Sequence, residues 1–118
     1  MNLFLIALGA SLGALCRHSL NVFAQQYLSL LGTFLANVIG CLLIGIVYSH
    51  SSQLSQEIRL CLITGFLGSL TTMSSFSLDV HIMIQQEQWV LACGLVLLTL
   101  IGCVCSTFLG AYLGARFP

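Results

Sequence analysis

Polar side chains are scarce in this 118-residue chain, and their placing narrows the chemistry they can do. Asn37 stands seven residues after Leu30 in an uncharged apolar run, within Gly32-Thr33-Phe34-Leu35-Ala36-Asn37-Val38-Ile39-Gly40. An amide in such surroundings needs partners. It offers two N–H donors and an acceptor, and a packing bond to a neighbouring helix is the plain way to satisfy them. A second apolar run is interrupted by Thr71-Thr72-Met73-Ser74-Ser75-Phe76-Ser77. A backbone break at membrane depth is tolerated only where it is buried in protein or lines a cavity, and there it frees groups that can hold ions. The plainer reading is a row of hydroxyls bonded back onto a continuous helix. Thr99, Cys103 and Thr107 recur every four residues, with Ser106 one turn from Cys103, so they share a helical face. With Asn37 they form an uncharged polar stripe suited to a small ion, which must bind well enough to shed water and loosely enough to leave. Small residues scattered over a packed interface would produce the same pattern.

An enzyme is disfavoured by the scatter of the titratable residues. Glu57 and Glu87 fall at the ends of apolar runs, Asp79 stands alone, and His18, His50 and His81 are dispersed, so no triad or metal-ligand cluster forms. Cys16, Cys41, Cys61, Cys93, Cys103 and Cys105 all lie in apolar stretches without metal-ligand spacing and read as reduced apolar residues. Zero net charge and the absence of a basic run remove the footprint of nucleic-acid binding and of polybasic lipid recognition.

The elements that must carry these residues follow from composition. Hydrophobic residues make up 58% and charged residues 5% of the chain, against roughly 25% charged in soluble domains. Mean hydropathy is +1.07. The chain therefore reads as an all-α integral membrane protein, a single domain over 1–118, since lipid leaves only helices and closed barrels viable and no alternating strand pattern is present. Four spans are expected, at approximately 3–24, 30–48, 58–84 broken near 71–77, and 89–113, with a tail from Gly114 too short to fold. Ser49 to Glu57 reads as an exposed loop and Trp89 as an interfacial anchor. Gly9/Gly13, Ala10/Ala14, Ala36/Gly40 and Gly110/Gly114 are pairs that let helix backbones approach closely. Arg59 and Arg116 fall on one side of the membrane and Arg17 reaches the other, a two-to-one bias that is compatible with insertion in both orientations.

Three ordered motifs carry a family resemblance over most of the chain. They are Gly9-Ala10-Ser11-Leu12-Gly13-Ala14-Leu15-Cys16-Arg17, then Gly32-Thr33 with Asn37 and Gly40, then Gly65-Phe66-Leu67-Gly68-Ser69-Leu70-Thr71-Thr72-Met73-Ser74-Ser75-Phe76-Ser77-Leu78-Asp79. In this order they resemble the small bacterial fluoride channels called Fluc or CrcB. The resemblance implies an antiparallel, dual-topology homodimer in the bacterial inner membrane, with two fluoride pores and a central structural sodium ion on the carbonyls of Gly68 and Thr71. It implies that Asn37 donates to fluoride, that Phe76 presents an electropositive ring edge, and that Thr99, Cys103, Ser106 and Thr107 belong to a polar track. Arg17 and Asp79 would stand near the pore mouths. The chain departs from the family at Met73, where a Phe is usual, at Asp79 in place of Glu, and at His18 in place of an aromatic.

The function expected on this basis is passive export of cytoplasmic fluoride, with fluoride, membrane lipid and a second subunit as partners. Met73 keeps open a heterodimer with a related subunit. A proton-coupled small multidrug exporter has similar length and helix number but requires an acid in its first helix, where this chain has none. A non-transporting assembly subunit built on the Gly9/Gly13 and Gly110/Gly114 surfaces would leave Asn37 and the interruption unexplained.

Overall fold

A computed structural model describes residues 2–27 and 30–117. Among the described residues all regular structure is helical, with four segments long and apolar enough to cross a membrane: Asn2–Gln25, Leu31–Ser49, Gln56–Gln85 and Trp89–Arg116. The first two are α1 and α2. The third is broken into α3, residues 56–70, and α4, Met73–Gln85, and the fourth is α5. The long axis of 48 Å matches a bilayer with its headgroup regions, about 40–45 Å thick.

Capping residues set the element ends. Ser55 accepts from the Ile58 amide at 3.3 Å and starts α3. α4 closes in a Schellman-type turn, with Gln88 N–H donating to the Met83 carbonyl at 2.9 Å and Glu87 N–H to that of Ile84 at 3.0 Å. Glu87 takes the left-handed conformation there, φ 60°, that glycine usually occupies.

Glycines set the packing. Gly9 and Gly13 of α1 bury against the backbone of α3 at Cys61, Phe66 and Leu70, and a Cβ on Gly65 would lie 2.6 Å from the Ile6 carbonyl. α2 and α5 are joined in the same way: Gly45 meets the Thr107 carbonyl, Gly110 meets that of Leu42, and Gly114 meets Ser49. Contact numbers rise together along both helices of each pair, so α1 runs parallel to α3 and α2 parallel to α5. These small-residue surfaces are thus occupied inside one chain, and the assembly-subunit reading built on Gly9/Gly13 and Gly110/Gly114 loses its surfaces.

Residues Leu60–Leu67 of α3 form a π-helix, with hydrogen bonds spaced i→i+5. This stretch faces α1. The helix then opens at two residues only, Thr71 (φ −80°, ψ 149°) and Thr72 (φ −151°, ψ 118°), and Met73 is helical again. The interruption expected near 71–77 is therefore shorter. Thr72 Oγ1 accepts from the Ser75 amide at 3.2 Å and N-caps α4, which makes Ser74 and Ser75 first-turn residues. The fourth span is longer than expected: α5 continues through Gly114 to Arg116, held by the contact of Gly114 with α2 and by Arg116 stacked 4.8 Å over the Tyr112 ring.

At the other end of that contact His50, at the end of α2, bonds its Nε2 to the Phe117 carbonyl (3.0 Å) and its Nδ1 to that of Ile46 (3.1 Å). The Ser49–Glu57 loop and the end of α5 thus share one side. The two carbonyls raise the His50 pKa above its usual value, Ile46 more than Phe117, with desolvation opposing.

Candidate functional site

The backbone break has to be satisfied where water does not reach, and Asn37 does this. Asn37 and Thr72 are each 7% exposed. The Thr72 amide donates to Asn37 Oδ1 at 2.7 Å, and Asn37 Nδ2 donates to the Thr72 carbonyl at 3.2 Å. The backbone N–H and C=O of one residue at the break are both met by one side-chain amide, and the two bonds fix which way that amide faces. Gly40, less than one turn further along α2, leaves the space that the Thr71 methyl fills. Thr71 Oγ1 and N–H both donate to the Leu67 carbonyl, at 2.9 and 3.1 Å.

Beside this junction lies a cavity of about 340 Å³, bounded by α2, the break, α4 and α5. It brings together Asn37, Thr71, Met73, Phe76, Thr99 and Cys103 from the residues singled out by sequence, and adds Cys41, Thr72, Val96 and Leu100. Cys41 was legible in principle, being one turn from Asn37 on the same face. Thr72 gains its place from a bond across 35 residues of sequence, which no local pattern encodes.

No charged residue lines the cavity. Phe76 is buried and Met73 is exposed at the opening of α4. The Thr99 hydroxyl is buried without a hydrogen-bond partner. Asn37 spends its acceptor and one N–H on Thr72 and keeps a second N–H. Such an uncharged pocket with a few convergent donors can hold a small anion without trapping it.

The remaining residues lie elsewhere. Ser106 and Thr107 are outside the cavity, and Thr107 Oγ1 donates to the Cys103 carbonyl at 3.0 Å within α5. Arg17 on α1 and Asp79 on α4 are half-buried and do not line it. Gly68 is exposed, a Cβ there would meet the Ile63 carbonyl at 3.5 Å, and among the described residues no backbone donor is bonded to the Gly68 or Thr71 carbonyl across the break. All six cysteines are free thiols, and no group of three or more His, Cys, Asp or Glu residues gathers among the described residues.

A helical bundle whose broken third span is re-paired from the second, beside an uncharged polar cavity, defines a multi-pass membrane protein of the helical-bundle class. The chain matches the family described as CrcB-like protein, Camphor Resistance (CrcB), over residues 4–111, and it belongs to that family. It is 44% identical over 121 aligned positions to the fluoride-specific ion channel FluC of Histophilus somni strain 2336, covering 98% of this chain and 95% of that protein. It is 42% identical to the FluC of Polynucleobacter asymbioticus (95% of this chain, 94% of that protein) and to that of Pasteurella multocida (92% and 88%).

Proposed function

We propose that this multi-pass membrane protein is a subunit of a fluoride-selective channel that lets cytoplasmic fluoride leave a bacterial cell through its inner membrane. The observation that carries the reading is the cavity at the break, where donors with no protein acceptor meet a buried aromatic ring in an uncharged wall. Fluoride is small and strongly hydrated, so its shell has to be replaced. The Thr99 hydroxyl and the second Asn37 N–H supply hydrogen bonds. Phe76 supplies an electropositive ring edge that attracts the anion without a full charge. Met73 adds a thioether with no N–H or O–H donor, so one chain carries one ring at this place. Cys103, Ser106 and Thr107 continue the α5 face, and Arg17 and Asp79 stand at the mouths. No residue couples flux to an energy source, so transport follows the fluoride gradient. α1 has no acid for a proton-coupled exporter.

We further propose an antiparallel homodimer of dual topology, which the small Arg bias permits, with a related subunit as the alternative partner. The carbonyls of Gly68 and Thr71, freed by the break, are hard oxygen donors that fit a sodium ion between two copies. Bound there, sodium would supply the positive charge that ties two broken helices together.

The test is fluoride efflux from liposomes that hold only the purified chain, followed with a fluoride electrode beside a chloride control. Fast fluoride efflux without chloride efflux is expected. Equal movement of the two anions would overturn the reading. A folded protein that passes neither would overturn self-sufficiency and direct the search to a second subunit.

A further inference from the structure

Three of the side chains around the cavity carry sulfur: Cys41, Met73 and Cys103. The two thiols are neighbours for a reason visible in the backbone. α2 and α5 run parallel, and Gly45 meets Thr107. One turn back along both helices sets Cys41 across from Cys103 on the wall of the cavity, and a further turn sets Asn37 and Thr99 on the same cavity. Met73 reaches that cavity from the start of α4 and, being exposed and unbranched, is able to re-aim its thioether. Two thiols and a thioether on three elements form a soft donor set, in a wall without carboxylates or imidazoles that would favour harder ions.

We propose that this cavity is also a binding site for a soft, low-coordinate d10 cation of the Hg2+, Ag+ or Cu+ type. The ion is held between Cys41 Sγ and Cys103 Sγ with Met73 Sδ as third donor, and its occupancy closes the cavity to anions. With Hg2+, two S–Hg bonds form, two S–H bonds break, and two protons leave to water. No oxidation state changes and the adduct is neutral, as an uncharged membrane wall requires. With Ag+ one thiol loses its proton, and the other thiol and the thioether bind as neutral donors, again giving a neutral site. Closure rests on the fluoride-channel reading; metal binding does not.

The experiment uses the full chain with Cys16, Cys61, Cys93 and Cys105 replaced by Ala, so that only the paired thiols remain. Mercuric chloride is the probe. One Hg2+ per chain is expected, with both thiols lost to a maleimide, sulfur-to-mercury charge-transfer absorption in the ultraviolet, and at least a tenfold fall in fluoride efflux that a small dithiol reverses. In Cys41→Ser and in Cys103→Ser, measured separately, a competing monothiol should strip the metal at concentrations about a hundredfold lower than from the pair, because the second bond is then intermolecular. Met73→Leu should weaken Ag+ and leave the Hg2+ stoichiometry unchanged. Two Hg2+ per chain, or a pair no more resistant to monothiol than either single thiol, would overturn the site. Tight one-to-one binding with undiminished efflux would overturn the closure. If the metal-free chain passes no fluoride, its self-sufficiency as a channel fails and the closure of this chain fails with it, while the stoichiometry still decides the site.

Discussion

Replacing Asn37 with Ala tests whether one side chain holds the helix break together. The change strands the Thr72 amide, at a residue that is 7% exposed, while the Thr72 carbonyl keeps the first intrahelical bond of α4 that its N-cap position gives it. A buried N–H without a partner costs about 1–3 kcal/mol, so the gross loss is about 1–3 kcal/mol. The adjoining cavity of about 340 Å³ has room for water beside Thr72, which would recover part of that loss. A net destabilisation of about 1–2 kcal/mol is expected. It can be read from the unfolding midpoint in a mixed-micelle denaturant titration. Amide hydrogen exchange supplies the local readout: protection should fall at Thr72 and at the first turn of α4, while α2 and α5 stay protected at the glycine contacts. A loss under about 0.5 kcal/mol, with unchanged protection at Thr72, would refute the reasoning, because the Thr72 peptide would then have another partner.

Thr99→Val should be neutral or stabilising by about 1 kcal/mol, since it removes a hydroxyl already buried without a partner, yet fluoride efflux should fall sharply if that hydroxyl serves the ion; unchanged efflux would remove Thr99 from the path. Met73→Phe should preserve or raise efflux in the same liposome assay, and a loss would mean that the thioether is needed for packing. Gly110→Ala should cost about 1–3 kcal/mol in a thermal melt because its Cβ meets the Leu42 carbonyl, whereas Gly94→Ala, with nothing within 4 Å, should be neutral or stabilising by up to about 1 kcal/mol. The His50 tether should depend on pH. Both ring nitrogens face carbonyls and both must donate, so the protonated ring is favoured. Its folded pKa lies above its unfolded value of about 6.5. The stabilisation is therefore complete below about pH 6.5 and is lost as pH rises through the folded pKa, so melts of the chain and of His50→Ala should differ at pH ~5.5 and converge at pH ~8.

Hydropathy located the four spans because membrane depth is written into composition, and Thr71-Thr72 marked the interruption because hydroxyl-bearing residues compete for backbone groups. The extent of the break was not legible. The Ser and Thr residues that suggested seven open positions include the cap and first turn of α4, and only tertiary contact separates a cap from a break. The end of α5 was missed for a related reason: Gly114 reads as a terminator until α2 is placed against it. Of the residues around the cavity, Asn37, Thr99 and Cys103 were singled out by residue type and spacing and Phe76 and Met73 through the family resemblance, while Ser106 and Thr107 continued the helical face past the cavity. The partner of Asn37 lies 35 residues away, and the π-helix changes hydrogen-bond spacing without changing composition, so neither leaves a local mark.

The eight π-helical residues also constrain how this chain can tolerate insertions and deletions. A π stretch takes up more residues per turn than the α-helix that would replace it, so losing one residue there could be absorbed by local rewinding, with every hydrogen bond re-formed and no loss of membrane-spanning length. A deletion that did not rewind would instead turn everything beyond by about 100° about the helix axis, the angle of one α-helical residue. Thr72 would swing away from Asn37 while mean hydropathy and the number of spans hardly changed. Such a variant would keep its topology and lose its break, so alignment gaps between residues 60 and 67 carry more functional weight than substitutions on the lipid-facing surface.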